Sequence, residues 1–335
     1  MERYREQFTG LIHRIKEYSN PVDDGLIKRA FEFSFDAHKD QLYISGEPYI
    51  EHCLKVAEIL IDLKMDYETV VAGLLHAITV DTDIDKEIIK EEFGKNLYDL
   101  VIGLYQISEL HFRNKHIKQT DKLRKLVLSI ARDIRVIVIK LADRLIYMRA
   151  INATLEKRNS RLVKDAGEKT MAIYVPLAHR LGISKIKQDL EDLAFKFLEP
   201  KKYENIRLRL AESREERDKH IEQIVGIIKH SLSKAGILCQ VHGRSKSIYS
   251  IHRKMVNRGY SFDQINDILA IRIIVKDGPG HDRFRDCYAA LSVVQNEFEP
   301  VHELYSDYIQ NPRDNGYQSI HAKVIYAPNS TNGRA

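Results

Sequence analysis

Residues Gly243 to Val275 read GRSKSIYSIHRKMVNRGYSFDQINDILAIRIIV, a pattern that predicts a basic turn, a short helix, a loop and a strand. Gly243 is expected to permit a tight turn at the start of the stretch. Apolar residues recur at helical spacing from about Ser247 to Arg258, and Gly259 is a typical left-handed stop for such a helix. Strands alternating with helices in this part of the chain predict a mixed α/β sheet.

Hydroxyl and cationic side chains surround the predicted start of this helix. Ser247, Ser250 and Lys254 share one face because of their i, i+3, i+7 spacing, and Arg244 and Lys246 come just before them. Free backbone N–H groups and the helix dipole hold phosphate oxygens well at such a place. The sequence therefore predicts a phosphate-binding site here.

The run Asp267 to Val275 is almost wholly apolar and rich in β-branched residues. It predicts a central strand covered on both faces. Asp267 and Arg272 interrupt the apolar run, and a charge in a buried strand is costly unless it is paired. One explanation is a buried Asp–Arg pair. The alternative is a carboxylate for Mg²⁺ and a guanidinium for a phosphate at the mouth of a sheet.

A second stretch, from Tyr308 to Val324, reads YIQNPRDNGYQSIHAKV. Its Asn-Gly pair predicts a tight turn before a strand. Tyr317, Ser319 and His321 are expected to alternate onto one face of that strand. A purine base would be able to stack on Tyr317.

The first part of the chain, to about residue 155, carries mostly helical patterns. Within it, the β-branched run Val136 to Ile139 would fit a strand, but its continuation to Met148 is a good helix former. The whole run is therefore predicted to be a buried helix. No internal repeat or low-complexity tract interrupts the chain.

Composition bounds the class of protein. A length of 335 residues predicts two domains, and 44% hydrophobic residues are ordinary for a soluble globular protein. A net charge of +5 is too mild to predict nucleic-acid binding. Cys53, Cys239 and Cys287 are far apart and lack metal-ligand spacing, which suits a reducing cytosol. No apolar run approaches the ~20 residues of a membrane span, and the charged start is no targeting segment. We therefore expect a cytoplasmic protein without a membrane partner.

Four motifs, in this order and with this spacing, carry a family resemblance: GRSKSIYSIHRKM, DILAIRIIV, DCYAAL and NGYQSIH. They resemble the synthetase domain of RelA/SpoT homologues, the long enzymes that make and degrade (p)ppGpp. The resemblance extends upstream over nearly the whole chain. It implies an all-α HD-type domain over residues 1–155, a helical connector over 156–200 and a mixed-sheet, nucleotidyltransferase-like synthetase domain over 201–335.

The resemblance implies transfer of the β,γ-pyrophosphate of ATP to the 3′-OH of GTP or GDP, with Mg²⁺ as cofactor. By the same resemblance, Arg244 stacks on adenine, and Lys246 and Lys254 hold ATP phosphates. Asp267 binds Mg²⁺, which completes the catalytic set. Six further residues are implied in substrate binding: Ser250, Arg272, Asn315, Tyr317, Gln318 and His321. Tyr317 stacks on guanine, whereas local hydrogen bonding is an equal alternative for Ser250, Gln318 and His321.

The family's first domain is an HD-type hydrolase that removes the 3′-pyrophosphate with Mn²⁺ held by two histidines and two aspartates. Three motifs of this chain resemble its landmarks, SGEPYIEH, LLHAITVDT and KLADRL. They supply His52, His76 and Asp143. Imidazole and carboxylate groups suit such an ion.

Four departures weaken that hydrolase site. Ala77 stands where the second aspartate is expected, and Val80 where a glutamate would help to activate water. Tyr43 replaces an arginine and Ile146 replaces a histidine. Losing a ligand and an acid/base carboxylate together removes the chemistry. Mn²⁺ and hydrolysis are therefore not expected, and the three remaining ligands are interpreted as structural remnants.

The synthetase half also departs from the family pattern. Leu304 to Asp307 matches neither the basic motif of bifunctional members nor the acidic motif of synthetase-only members, so GDP versus GTP preference stays open. Arg313 replaces a lysine. The family's catalytic glutamate follows the NGYQS segment in a later strand, expected past Ala335, and its absence would lower synthesis by about 10²–10⁴-fold. The family's regulatory domains are also expected past that point, and any contact with the ribosome or tRNA would be made only through them.

Two other functions stay open on the sequence. One is an Mn²⁺-dependent hydrolase with substituted ligands, which bound Mn²⁺ at His52, His76 and Asp143 would favour. The other is a non-catalytic module that senses guanine nucleotides.

Overall fold

The computed structural model describes residues 2–112, 133–157, 159–210, 214–265, 268–276, 282–301, 304–312 and 316–326. The chain divides into two compact units, Met1–Lys201 and Lys202–Ala335. Within the described residues, every helix is too short or too polar to cross a bilayer.

The first unit is built from helices around one continuous apolar core. Their bounds are α1 Glu2–Lys16, α2 Asp24–Ala37, α3 Tyr49–Asp62, α4 Tyr67–Leu75, α5 Ile78–Asp81, α6 Lys86–Phe93, α7 Lys95–Phe112, α8 Ile134–Ala153, α9 Ser160–Lys169, α10 Val175–Arg180 and α11 Ser184–Leu198. Aspartates cap several of them: Asp23 accepts from Leu26 N at the start of α2, and Asp66 accepts from Thr69 N at the start of α4. Helix α12, Pro200–Arg209, spans the division between the units.

Helix α8 lies at the centre of the first unit. The β-branched run Val136–Ile139 is helical and buried, which agrees with the predicted buried helix. The helix packs against α3, α7 and α11, so most of its surface is covered and its sequence is apolar on most sides. This central position places Asp143, in the middle of α8, against the neighbouring helices.

The second unit combines helices with short antiparallel strand pairs. Its helices are α13 Arg214–Lys234, α14 Ile248–Arg258 and α15 Arg283–Glu297. The strands are β1 Cys239–Ser245, β2 Leu269–Val275, β3 Glu299–Pro300, β4 Ser306–Asp307, β5 Ile320–His321 and β6 Val324–Ile325, and they pair as β1–β2, β3–β6 and β4–β5. Helices α13 and α15 meet each other, and Ile228, Leu232, Val241 and Phe298 form the core with them.

Helix α14 agrees with the sequence prediction to within one residue. Ser247 caps it by accepting from Ser250 N, and Gly259 ends it with φ of 64°. Ile248 and Ile251 are buried on the predicted apolar face. The hydroxyl cap and the left-handed glycine are the local signals that fix both ends.

The predicted turn at Gly243 is wrong. Gly243 lies inside β1, opposite Ile271 of β2, and not in a turn. A Cβ atom at this position would lie 2.3 Å from Ile221 Cγ2 and 2.9 Å from Val225 Cγ2 of α13. The glycine therefore serves the close approach of helix α13 to the strand.

The close approach of α13 to β1 at Gly243 allows a prediction about stability. We expect Gly243→Ala to lower the free energy of unfolding by about 1–3 kcal/mol, because the added methyl group overpacks the contact between α13 and β1. Gly226→Ala in the same helix is the matched control, since nothing lies within 4 Å of its added Cβ. That variant should be about 0.5–1 kcal/mol more stable. Urea unfolding of both proteins measures the difference; equal stabilities would refute the close approach.

The prediction that the apolar run forms a central strand covered on both faces is also wrong. In the described residues β2 pairs with β1 in a two-stranded sheet, and its side chains alternate in exposure. Arg272 is exposed, and Ile274 is 44% exposed. An unbroken apolar run does not distinguish a doubly covered strand from one with an open face. Asp267 lies outside the described residues, so its pairing with Arg272 is not described.

Candidate functional sites

Three helices of the first unit bring the predicted ligands together. His52 lies on α3, His76 directly follows α4 and Asp143 lies on α8. The Nε2 atoms of the two histidines are 3.0 Å apart, and Asp143 Oδ1 is 3.5 Å from the first and 3.7 Å from the second. Both imidazoles are buried and the carboxylate is half-buried. The fold thus assembles three donor atoms from distant parts of the sequence.

The charges at this cluster suit a cation. Burial, helped by the neighbouring His76, lowers the pKa of His52 to about 3, so its imidazole is neutral. Burial alone would raise the pKa of Asp143, but the charge of the adjacent Lys140 outweighs it and holds that pKa well below its usual value. Lys140 Nζ is 2.7 Å from Asp143 Oδ2. A neutral imidazole and an ionised carboxylate are the forms that bind metal.

The geometry also fits a divalent metal as a partial ligand set. Two nitrogen ligands that are each about 2.1 Å from an ion and at right angles to each other, as in an octahedral site, are about 3 Å apart. His76 Nδ1 donates to the carbonyl oxygen of Gly73 at 2.7 Å, so the lone pair of its Nε2 faces the cluster. His52, His76 and Asp143 can therefore supply three of the ligands of a divalent cation. In the part of the chain that the structure describes, no fourth histidine, cysteine or carboxylate joins them.

The residues that depart from the family pattern surround this cluster. Ala77, which follows His76, is buried and offers no ligand atom. The ring of Tyr43 stacks on His52 with centroids 4.1 Å apart and planes at 14°. Burial raises the pKa of Tyr43, so a neutral ring covers the imidazole where a guanidinium was expected. Ile146 is buried as an ordinary core residue.

A second layer of polar contacts lies beside the cluster, and the sequence did not reveal it. Tyr49 donates its hydroxyl to Asp81 Oδ2 at 2.6 Å, and the ring of His38 stacks on Tyr49 at 4.3 Å. The family resemblance predicts an acidic pair at positions 80 and 81 of this chain, and only Asp81 of that pair is acidic. The hydrogen bond from Tyr49 holds the Asp81 carboxylate in place. Its contact with Tyr49, 32 residues away, has no local sequence signal.

In the second unit, Arg244, Lys246 and Ser250 lie where β1 leads into α14. Arg244 is exposed near the end of β1, and Lys246 N donates to Ile268 O at 2.8 Å, which extends the sheet pairing by one bond. Ser247 Oγ donates to Ser250 Oγ at 2.9 Å, so the Ser250 hydroxyl takes part in the helix cap. Sheet pairing and capping together fix the path of the backbone through these residues.

Lys254 lies one helical turn beyond Ser250. Its Nζ is 5.7 Å from the ring centroid of Tyr260. Lys254 and Tyr260 line an open cavity of about 500 Å³ together with Arg258, Asp263 and Gln264. Two cationic side chains and one carboxylate line the cavity, so its net charge is positive and it can accept an anion.

The predicted guanine site contains a group of three rings. Tyr317 is 40% exposed and its hydroxyl is 2.9 Å from His321 Nε2. The ring of Tyr308 meets the His321 ring edge-on, with centroids 5.2 Å apart. We call Tyr308, Tyr317 and His321 the aromatic triad. The expected strand alternation from Tyr317 is wrong, because β5 begins only at Ile320.

Some of the remaining residues that were predicted to contact substrate lie within the described residues, and others lie outside them. Gln318 is exposed next to the triad, and Gly316 has φ of 76°, as a turn glycine does. Asn315, Arg313 and Asp267 lie outside the described residues. The nucleotide and Mg²⁺ roles assigned to all these side chains remain predictions.

Comparison with known proteins defines the class of each half. The family model for an HD domain matches residues 30–184, and the model for the region found in RelA/SpoT proteins matches residues 243–333. The protein is thus an all-α HD-type domain followed by a RelA/SpoT region, as predicted. The chain belongs to the family of RelA/SpoT homologues, which confirms the resemblance of its motifs.

Individual relatives carry names for both reactions of the family. The chain is 38% identical over 314 residues to a GTP pyrophosphokinase of Myxococcus xanthus, covering 93% of this chain and 40% of that protein. It is 40% identical over 318 residues to the bifunctional (p)ppGpp synthase/hydrolase SpoT of Escherichia coli, covering 95% and 44%. A guanosine-3′,5′-bis(diphosphate) 3′-pyrophosphohydrolase of Aquifex aeolicus is 40% identical over 300 residues, covering 89% and 41%. The chain spans about two fifths of the length of these relatives.

Proposed function

We propose that this chain is the catalytic region of a (p)ppGpp synthetase, which transfers pyrophosphate from ATP to the 3′-OH of GTP or GDP. We further propose that its HD domain does not hydrolyse (p)ppGpp. The observation that supports this choice is the HD site itself. Ala77 adds no ligand to the three-donor cluster, and the ring of Tyr43 packs on His52. In this proposal ATP is the donor, GTP or GDP is the acceptor, and the reaction takes place in the cytoplasm.

Each residue of the second unit has a physical task in this proposal. Arg244 offers an exposed planar guanidinium to the adenine ring. Lys246 and Lys254 neutralise the negative charge of the ATP phosphates, and Tyr317 offers a half-exposed ring face to guanine. Mg²⁺, when bound, would shield the charge on the transferring phosphates, with Asp267 as its carboxylate ligand.

Asp267→Asn tests the metal role. The amide keeps the shape and one acceptor oxygen but loses the charge that a hard cation prefers. We expect ppGpp synthesis from ATP, GDP and Mg²⁺ to be abolished while the thermal unfolding midpoint stays near that of the unchanged protein. A large drop in the midpoint that replacing Arg272 by an apolar residue reverses would instead identify a structural Asp–Arg pair. Absence of ppGpp and AMP with the unchanged full-length protein would overturn the proposed synthesis.

The three-donor cluster favours a second candidate function, hydrolysis with substituted ligands. Metal analysis of the purified protein after incubation with Mn²⁺ distinguishes it from the first. We expect no stoichiometric Mn²⁺, because three ligands and a competing Lys140 ammonium leave a weak site. One Mn²⁺ per chain, lost in a His52→Ala variant, would favour the hydrolase. Guanine-nucleotide binding without turnover in either direction would instead favour a sensing module.

A further inference from the structure

The carboxylate of Asp307 accepts hydrogen bonds from two separate parts of the second unit. Its Oδ2 accepts from the Tyr288 hydroxyl at 2.8 Å and from the Tyr305 hydroxyl at 3.2 Å. Its Oδ1 accepts from the backbone N–H groups of Ile309 and Gln310, both at 2.9 Å. Tyr288 belongs to α15, so Asp307 connects that helix to the turn that follows β4.

This turn leads directly to the aromatic triad. Asp307 pairs with Ile320 in the β4–β5 ladder. The next residue, Tyr308, donates its N–H to Ser319 O at 2.8 Å, and its ring meets His321 edge-on. The position of Asp307 therefore sets the position of Tyr308, and through His321 that of Tyr317.

The two oxygens of Asp307 have different tasks. The bonds at Oδ1 are local and shape the turn itself. The bond from Tyr288 at Oδ2 joins residues 19 apart and fixes the turn against α15. A hydrogen bond from a hydroxyl to an ionised carboxylate is stronger than one between two neutral groups.

We propose that Tyr288 and Asp307 are a pair of positioning residues that hold the aromatic triad in place for guanine. This inference rests on the proposed function, because it takes guanine as the base that stacks on Tyr317. It assigns a role to a tyrosine within the DCYAAL motif and to the aspartate of the segment Leu304 to Asp307, which matches neither family pattern.

The protonation states of Tyr288 and Asp307 support their role as positioning residues. The hydrogen bond to Asp307 raises the pKa of Tyr288 to about 12. Hydrogen bonds, first from the Gln310 N–H and then from Tyr288, lower the pKa of Asp307 below its ordinary value. The hydroxyl therefore donates and the carboxylate accepts throughout the neutral pH range, so the pair is a fixed support.

The test is Tyr288→Phe, which removes the hydroxyl and keeps the ring. Equilibrium binding of GDP and of a non-hydrolysable ATP analogue is measured on the same protein. We expect the affinity for GDP to fall about tenfold, since a hydrogen bond to a charged group is lost, with the ATP-analogue affinity unchanged. Asp307→Asn should lower GDP affinity in the same selective way. The matched control is Tyr326→Phe, whose hydroxyl donates to Gln223 in the same unit at 2.9 Å; it should change neither affinity.

Backbone amide exchange provides the structural readout. In Tyr288→Phe the amides of Ile309 and Gln310 should stay protected, because their acceptor is the other oxygen of Asp307. Protected amides with selective loss of GDP support the inference. Unchanged GDP affinity, or equal loss of both nucleotides, would overturn it and leave the proposed function standing. An unchanged protein that binds no GDP would refute the proposed function and the inference together.

Discussion

Replacing Ala77 by Asp and Val80 by Glu in one variant is expected to give the HD domain a bound Mn²⁺ and to raise pyrophosphate release from ppGpp by at least about 10²-fold. The added aspartate follows His76 directly, where it can complete the ligand cluster of His52, His76 and Asp143. The added glutamate supplies the carboxylate needed to activate water, a contribution of about 10²–10⁴-fold. Metal analysis and a hydrolysis assay on the same preparation measure both gains.

The matched control carries the corresponding amides, Ala77→Asn with Val80→Gln. These side chains have the same size but no charge, so neither metal nor hydrolysis should appear. The carboxylate variant should also gain thermal stability when Mn²⁺ is added, because an ion that binds the folded state stabilises it. If the carboxylate variant binds no Mn²⁺, the missing acidic groups are not what disables the site. The stacked ring of Tyr43 would then be the cause to pursue.

Lys254→Ala is expected to lower the affinity for ATP by about 10- to 100-fold. A cationic hydrogen bond to a phosphate is worth about 1.5–3 kcal/mol, which corresponds to this range. Lys254 lines the polar cavity on α14, and its ammonium lies over the ring of Tyr260. Titration with a non-hydrolysable ATP analogue measures the loss, and GDP affinity in the same protein shows whether the fold is intact.

Arg253→Ala is the control for that substitution. Arg253 is the preceding residue of α14, is exposed and carries the same charge, but it does not line the cavity. Its loss should change ATP affinity less than about twofold, since a surface charge acts only through the screened field. Equal losses in the two variants would show that net charge attracts ATP and that Lys254 makes no direct contact.

The sequence predicted those parts of the fold and site that depend on local signals. The cap of Ser247 and the left-handed Gly259 fix the ends of α14, and both are visible as residue types. The three ligands of the HD site were found through motifs. Lys140 is the first residue of the motif KLADRL, and its i, i+3 spacing to Asp143 is a local signal for the ion pair.

Features that depend on distant partners could not be predicted. From the sequence alone, a glycine such as Gly243 fits a turn as well as a strand. Only the approach of α13 to the strand explains why it lies in β1. The stacking of Tyr43 on His52 and the bond from Tyr288 to Asp307 likewise join residues whose neighbours are set by the fold. An apolar strand predicts burial, but the number of covered faces depends on what packs there, as Arg272 demonstrates.

The most direct test is whether the HD domain hydrolyses ppGpp. The purified protein is incubated with ppGpp and Mn²⁺, and the guanine nucleotides are separated by chromatography. We expect ppGpp to stay intact, because Ala77 and Val80 leave the HD cluster of His52, His76 and Asp143 without the groups that bind the ion firmly and activate water. Mn²⁺-dependent conversion of ppGpp to GDP and pyrophosphate, abolished by His52→Ala, would contradict it and make this chain a hydrolase.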